Sequence, residues 1–175
     1  MTSVKHRPRA ALAVRLRTLA VLELGNVIWI GWVVFAAFDA PTSAANVSGY
    51  ALTAVLLLTG SGYWSVKLRQ LRAGLPRPPL IGLFRWPRFL CAAGLAAGAV
   101  VMGASLARRP EAGEVAPGLL LYVLALAEYV NYFHWQLMHD TAADWHRLLR
   151  TRRLRRSHLH DDLRAYREQI RKQCP

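Results

Sequence analysis

The chain has few of the residue patterns from which catalytic and metal sites are usually built. Its two cysteines, Cys91 and Cys174, lie far apart and form no CxxC pair, so we assign them no disulfide or redox role. There is no HExxH motif and no GxSxG nucleophile elbow, which disfavours a zinc or serine hydrolase. Acidic residues are also scarce, because 10 Asp and Glu stand against 23 Lys and Arg, giving a formal net charge of +13.

What the sequence does contain is long hydrophobic runs. Hydrophobic residues make up 54% of the chain. They fall in four blocks of roughly 18 to 20 residues, the length that crosses about 30 Å of hydrocarbon. A soluble nucleic-acid-binding protein would share the basic charge but would not carry such blocks. The sequence therefore predicts an all-α fold, a four-transmembrane-helix bundle with spans at about 19–38, 50–66, 89–106 and 118–137.

Lysine and arginine alternate between the two sides of the predicted bundle. Counted by segment from the N-terminus they number 5, 0, 6, 2 and 10, so one side carries 21 of the 23. This is the positive-inside pattern, which places residues 1–18 and the tail 138–175 in the cytoplasm of an inner-membrane protein. A signal peptide is the competing interpretation of the N-terminus, but the first apolar run is too long for a usual h-region and contains Glu23 and Asn26.

Polar side chains interrupt the spans mainly in the cytoplasmic half. On a continuous helix of about 100° per residue, one face of the fourth span would carry Glu128, Tyr132, Trp135 and His139. Because such groups must face protein or a water-filled cavity, we expect a polar cluster open to the cytoplasm. Its candidate members are Glu23, Asn26, Glu128, Asn131, Tyr132, His134, Gln136 and His139. The outer half offers little beyond Thr53, Thr59, Ser105 and Tyr122.

The two intramembrane carboxylates, Glu23 and Glu128, have two interpretations. In the structural interpretation each is neutral or is paired with Lys67, Arg69 or an amide. In the functional interpretation each binds a proton or a cation, the default hypothesis for an ionisable group at this depth. Glu23 is predicted near the interface, which favours a structural role. Glu128 is predicted deeper, which keeps the functional role open.

The histidines do not indicate a metal or haem site. His134 and His139 are five residues apart, about 140° around a helix, so they cannot grip one ion as an i,i+4 pair does. A bis-histidine haem would need a histidine on a second span, and the first three predicted spans have none. His158 and His160 lie in the tail. We therefore predict neither a metal nor another cofactor.

Two further patterns predict helix packing. Gly94 and Gly98 form a GxxxG in the third span, which would let another span of this chain, or of a second copy, approach closely. The alternative is an Ala/Gly-rich helix in which these glycines have no packing role. In the tail Ser157 is a predicted N-cap. The residues that follow it form one apolar stripe of Leu159, Leu163, Tyr166 and Ile170. The tail is thus predicted to be a cytoplasmic basic amphipathic C-terminal helix, whose stripe is available to a partner.

The tail also has an arginine-rich segment, whose candidate contact residues are Arg147, Arg150, Arg152, Arg153, Arg155 and Arg156. Beside a membrane such a segment attracts anionic headgroups, at about 1 kcal/mol for each basic residue near the surface. A partner protein and a simply solvated face are alternatives. Nucleic acid is disfavoured, because only Trp145 and Tyr166 are nearby to stack on bases.

Taken together these patterns favour a non-enzymatic membrane protein. It would be an accessory or scaffold subunit whose tail contacts anionic lipid or a partner. The alternative is a small transporter or ion-binding component that uses Glu128, Asn131 and His134, as an oligomer because four spans rarely enclose a path. A membrane enzyme acting on lipid-linked substrates ranks third. A homo-oligomer or a membrane protein partner is compatible with both leading hypotheses.

Overall fold

Helices account for almost all of the described structure. The computed structural model describes residues 6–108, 111–137 and 156–173. Its α-helices are α1 (His6–Trp32), α2 (Ala44–Ala73), α3 (Arg85–Ala107), α4 (Ala112–Phe133) and α5 (His158–Gln173). A π-helical turn, Val33–Ala37, extends α1, and a 3-10 turn, Ile81–Phe84, precedes α3. An isolated antiparallel bridge joins Trp135 to Arg156, and the described ranges contain no strand.

Four of the helical segments are long and apolar enough to cross a membrane, namely Arg9–Ala37, Ala44–Ala73, Ile81–Ala107 and Ala112–Phe133. Most of their apolar surface faces outward. In the most apolar part of the first segment only 11% of residues are buried, and in the third and fourth only 22%. Water would penalise so large an apolar surface, whereas lipid tails would not. The predicted all-helical fold with four helices of spanning length is confirmed.

Three helix boundaries differ from the predicted spans, and capping residues account for the two at the ends of α2. α2 begins at Ala44, inside the predicted loop 39–49, where the hydroxyl of Ser43 accepts a hydrogen bond from Asn46 N (3.2 Å). It continues to Ala73 and ends at Gly74, which has the left-handed conformation (φ 62°) that favours glycine. α4 begins at Ala112 rather than near residue 118.

The C-terminal boundary of the fourth span was predicted wrongly. α4 ends at Phe133 rather than near Leu137, because His134 leaves the helical conformation with φ −129° and ψ −73°. The expected continuous helical face through Trp135 is therefore absent, and Trp135 instead bridges to Arg156. The last carbonyl groups of α4 find hydrogen-bonding partners in the segment that begins α5. These partners replace the helical hydrogen bonds that end at Phe133.

α2 is the central helix and packs against α1, α3 and α4. Its contacts with α1 run in opposite order along the two helices, since Tyr50 Oη donates to Val27 O (3.1 Å) and Ser61 Oγ donates to Ala20 O (2.8 Å). α1 and α2 are therefore antiparallel. Contacts between α2 and α4 run in the same order, so these two helices are parallel. This is the arrangement expected when consecutive spans alternate in direction.

α2 and α4 touch backbone to backbone at Gly49 and Gly118. A Cβ added at Gly118 would overlap the carbonyl group of Ala45, and one added at Gly49 would overlap the carbonyl of Gly118. Backbone atoms cannot move aside as a flexible side chain can. The crossing therefore requires glycine on both helices, which is the small-residue packing that holds helices together in lipid.

Asn46 replaces hydrogen bonds that Pro117 removes from α4. Proline has no N–H, so the carbonyl of Gly113, four residues earlier, loses its helical donor. Asn46 Nδ2 donates to Gly113 O (3.1 Å) and to Pro41 O (2.9 Å), and its Oδ1 accepts from Gly118 N (2.8 Å). The Asn46 residue is completely buried, with 0% of its surface exposed. An apolar surrounding makes this replacement necessary.

Further polar side chains support the same end of the bundle. Ser43 Oγ donates to Glu114 O (2.5 Å), and the buried Thr53 hydroxyl lies within hydrogen-bonding distance of Leu121 O (2.9 Å). Asn46 falls between the predicted spans 19–38 and 50–66, so the sequence indicated few polar groups in this half. The polar groups are therefore more evenly divided between the two ends than we expected.

The GxxxG glycines pack within the chain. A Cβ added at Gly98 would lie 2.6 Å from a Leu52 methyl and 3.0 Å from the Tyr122 ring, and one added at Gly94 would lie 3.0 Å from Leu52. Tyr122 Oη also donates to the Leu95 carbonyl (2.8 Å). The sequence left open whether these glycines pack against this chain or against a second copy. The structure shows them packed against α2 and α4 of the same chain.

The substitution Gly118→Ala tests the α2–α4 crossing. We expect it to destabilise the protein by about 1–3 kcal/mol, because the added methyl group forces two backbones apart. This should happen even though alanine favours a helix over glycine by about 1 kcal/mol. The matched control is Gly103→Ala in α3, where nothing lies within 4 Å of the added Cβ. Thermal unfolding in detergent micelles measures both, and equal midpoints for the two variants would contradict this packing.

Candidate functional site

The predicted polar cluster is centred on a contact between α1 and α4. Tyr132 Oη donates a hydrogen bond to Glu23 Oε1. The Trp64 side chain of α2 is a second hydrogen-bonding partner of Glu23. The Tyr132 hydroxyl also lies against Gly60 of α2, where no Cβ could fit. One carboxylate thus joins three of the four long helices.

Glu128 and Asn131 extend this cluster along α4. Glu128 interacts electrostatically with both Glu23 and Tyr132. Asn131 Nδ2 lies 3.4 Å from Glu128 Oε2, and Asn131 Oδ1 accepts a hydrogen bond from Leu137 N (2.9 Å). The asparagine therefore links the carboxylate to the segment that leaves α4. Two carboxylates, a phenol and an amide share one site, a set able to hold a proton or a cation.

Other predicted members lie apart from this centre. Asn26 is exposed on α1, and His134 and Gln136 lie in the non-helical segment that follows α4. His139 is outside the described residues. Lys67, a suggested partner of the intramembrane carboxylates, forms its ion pair with Asp162 instead. Within residues 6–108, 111–137 and 156–173, no three His, Cys, Asp or Glu side chains are grouped to hold a metal ion.

α5 is packed onto the bundle by the apolar stripe that the sequence predicted. Leu159 is 1% exposed and Leu163 is 6% exposed. Both belong to the core cluster that includes Tyr63, Ile81 and Phe133. Only the far end of the stripe, Ile170, is exposed, at 42%. The first half of the stripe is therefore occupied by this chain's own helices rather than left available to a partner.

An ion pair holds α5 against the end of α2. Lys67 Nζ lies 2.5 Å from Asp162 Oδ2, and Tyr63 Oη donates to the same oxygen at 2.8 Å. The pair is about three-quarters shielded, since its side chains are 26% and 21% exposed. A partly buried pair with an added hydrogen bond fixes geometry better than an exposed one. This contact orients α5 relative to α2.

The start of α5 satisfies the end of α4. Ser157 caps α5 as predicted, since its Oγ accepts from His160 N (3.1 Å), and the same hydroxyl donates to the Tyr132 carbonyl (2.5 Å). His160 Nδ1 lies 3.1 Å from the Phe133 carbonyl, and Arg156 Nη1 lies 2.8 Å from His160 Nε2. Carbonyls that a helix terminus leaves unpaired thus receive donors from the next helix. The α4–α5 joint is built from these contacts.

The arginine-rich candidate segment is described only at its last residue. Arg156 places its guanidinium 5.7 Å from the centre of the Trp135 ring, a cation–π contact. The other candidates lie outside the described residues, namely Arg147, Arg150, Arg152, Arg153 and Arg155. The described part of α5 adds exposed basic side chains that the segment did not include, namely Arg164, Arg167, Arg171 and Lys172.

A second feature, a groove of about 440 Å³, lies at the opposite end of the bundle. It runs between the last turns of the first span and the start of α4, and it is lined by apolar residues including Trp29, Phe38 and Leu120. No charged side chain lines it. Such a surface suits a hydrocarbon chain but provides no group for chemistry.

These features define a helical protein with four segments fit to span a membrane, a polar cluster between three of them, and a short helix fixed at one end. Comparison of the chain with protein-family models gives no match, and comparisons with curated proteins and with solved structures find no significant similarity. The chain therefore has to be interpreted from its own geometry.

We predict that His134 makes the α4–α5 joint weaken at low pH. Partial burial, and after it the electrostatic effects of Arg88 and His160, lower the pKa of His134 below its ordinary value of about 6.5. The unfolded chain therefore binds more protons below about pH 6.5, so stability falls as the pH drops through that window. The ring of Tyr129 lies beside that of His134, with ring centres 5.5 Å apart.

Melting temperatures measured in detergent between about pH 8 and pH 5 test this prediction. His134→Gln should flatten the fall in melting temperature. The control His158→Gln, at a ring 6.4 Å from Trp64, should keep it. If the melting temperature of His134→Gln fell with pH as steeply as that of the wild type, another group would be responsible.

Proposed function

We propose that this is a multi-pass protein of the inner membrane with both termini in the cytoplasm, acting as a non-enzymatic accessory or scaffold subunit. Its C-terminal region would contact the anionic lipid of the cytoplasmic leaflet or a partner protein. The alternation of Lys and Arg between segments supports this orientation, since the segments predicted to be cytoplasmic contain 21 of the 23 basic residues.

The observation that carries the proposal is the fixed, two-sided position of α5. Its inner side is held by Leu159, Leu163 and the Asp162 ion pair with Lys67. Its outer side presents exposed basic residues, including Arg164 and Arg167. A basic surface held rigidly at the membrane boundary loses little conformational freedom on contacting headgroups, so more of the electrostatic attraction is retained.

The exposed side of α1 would be available to a second copy or to a membrane protein partner. Only 11% of the most apolar part of that span is buried within the chain. Trp29 and Trp32 stack there with ring centres 5.1 Å apart and remain largely exposed. Exposed aromatic surface of this kind serves protein contacts and lipid contacts alike.

Neutralising the arginine-rich segment tests the lipid contact. In the full chain, Arg152, Arg153, Arg155 and Arg156 are all replaced by Gln, and the protein is placed in nanodiscs of phosphatidylglycerol or phosphatidylcholine. Hydrogen exchange of residues 147–173 should be slower in phosphatidylglycerol for the wild type, because anionic headgroups engage the basic residues. The glutamine variant should lose this difference.

The matched control replaces the same four arginines by lysine and should keep most of the protection, since the charge is unchanged. Equal rates of hydrogen exchange for the wild-type tail in the two lipids would contradict the proposed contact with anionic lipid.

The polar cluster favours a second candidate function, a proton- or cation-binding component of an oligomeric transporter. The supporting observation is that Glu23 and Glu128 interact within one site that Tyr132 closes from α4. Carboxylates brought together at this depth are a common way to bind a proton or cation. Asn131 supports Glu128, whereas His134 lies beyond the helix and contributes no direct contact to the pair.

The substitution Glu128→Gln tests this second candidate. The glutamine keeps the shape but not the charge, so assembly judged by gel filtration should be retained. A proton-dependent fluorescence change in proteoliposomes should fall by about tenfold or more, because the binding carboxylate is lost. Glu114→Gln, an exposed carboxylate in the first turn of the same helix, is the control. Misassembly of Glu128→Gln, or a response equal to that of the control, would contradict the ion-binding role.

A further inference from the structure

Arginines from two distant parts of the sequence line one small cleft. Arg85 and Arg88 lie in the first turns of α3, and Arg167 lies on α5. The cleft between them has a volume of about 70 Å³. Its apolar lining includes Phe89, Leu163 and Tyr166. Packing of α5 on the bundle creates this cleft, since neither helix forms it alone.

The charge in the cleft is not balanced by its own lining. None of the lining residues is acidic. Of the three carboxylates of α5, Asp162 pairs with Lys67 and Glu168 pairs with Arg164 (2.9 Å), and Asp161 does not line the cleft. Three positively charged residues line one cleft with no acidic residue in its lining, so an anion there would lower their mutual repulsion. Arginine is also the side chain best shaped to hold the oxygens of a phosphate.

The cleft lies at the depth where a phospholipid phosphate would be. The spanning segment begins at Ile81, a few residues before the cleft arginines. Trp86 and Phe89, at the same level, are 61% and 62% exposed, as expected for aromatic residues at a membrane interface. The Arg85 guanidinium lies 5.9 Å from the Trp86 ring centre, which holds that side chain near the interface.

The size and lining of the cleft select among phosphate compounds. A volume of about 70 Å³ has room for a phosphate group but not for a complete lipid. Beside it the surface of α3 is apolar and exposed, with Phe89 and Leu90 at 62% and 67%. A ligand with a phosphate in the cleft and hydrocarbon chains along α3 matches both parts. A free phosphate would leave the apolar part of this surface unused.

We propose that the cleft formed by Arg85, Arg88 and Arg167 is a specific site for the phosphate of an anionic glycerophospholipid in the leaflet that faces α5. This proposal rests on the proposed function, since it assumes that the α5 end lies at an anionic membrane surface. It adds a defined site, separate from the arginine-rich segment, at which one lipid joins α3 to α5.

The experiment titrates the delipidated full-length protein with dioleoyl-phosphatidylglycerol in detergent and counts bound lipids by native mass spectrometry. Arg88→Gln and Arg167→Gln should each raise the dissociation constant of the tightest-bound lipid by about tenfold or more, because a charge-assisted contact is lost. The matched control, Arg72→Gln, removes one exposed charge from the last turn of α2, outside the cleft, and should change it by less than about twofold. Arg167→Lys, which keeps the charge but not the paired donors, should give an intermediate loss.

Three results would overturn the cleft. These are unchanged affinity in both cleft variants, an equal loss in Arg72→Gln, and competition by inorganic phosphate as effective as by phosphatidylglycerol. Phosphatidylcholine, whose headgroup carries no net charge, should bind more weakly than phosphatidylglycerol, and equal binding would also overturn the site. The melting temperature of each variant checks that α5 remains packed on the bundle.

The nanodisc experiment on the arginine-rich segment separates this proposal from the function on which it rests. Unchanged lipid binding in the cleft variants, together with loss of protection in the segment variant, overturns the cleft and leaves the wider proposal standing. Failure of both experiments overturns both.

Discussion

The structure depends on one constraint, which is that backbone groups removed from water must find partners within the protein. α4 meets this constraint in two unusual places. Near its start Pro117 removes a donor, and Asn46 of α2 provides the missing hydrogen bonds. At its end the carbonyls of Tyr132 and Phe133 find partners in Ser157 and His160. Both solutions come from other helices, so they also determine where α2 and α5 lie against α4.

The constraint also connects the polar cluster to the tail. Tyr132 takes part in both, because its hydroxyl donates to Glu23 and its carbonyl accepts from Ser157. A displacement of α5 would therefore act on the residue that closes the cluster, and a change of charge at Glu23 would act on the residue that anchors α5. Two sites that share a rigid residue are coupled in energy if either has two states. The two candidate functions are thus connected by one residue, Tyr132.

Charge is divided between the two sides of α5 according to what each side meets. Asp162 faces the bundle, where Lys67 and Tyr63 stabilise it, whereas Arg164 and Arg167 lie on the exposed surface. An unpaired carboxylate against the core would be costly, and exposed arginines are not. The result is a helix attached through Asp162 and its apolar stripe, with Arg164 and Arg167 left exposed.

The sequence by itself determined the helical class, the four spanning segments, the N-cap at Ser157 and the apolar stripe of α5, because each depends on composition or on local periodicity. It also named Glu23, Glu128 and Tyr132 as polar residues of the spans, but not their contacts. Only the tertiary structure decided that Asn46 supports Pro117, that α4 ends at Phe133, and that Arg85 and Arg88 lie beside Arg167. These outcomes depend on hydrogen bonds and charges between residues 25 to about 80 positions apart. No local pattern encodes which distant donor meets a given carbonyl, so the bundle has to be assembled before those partners are defined.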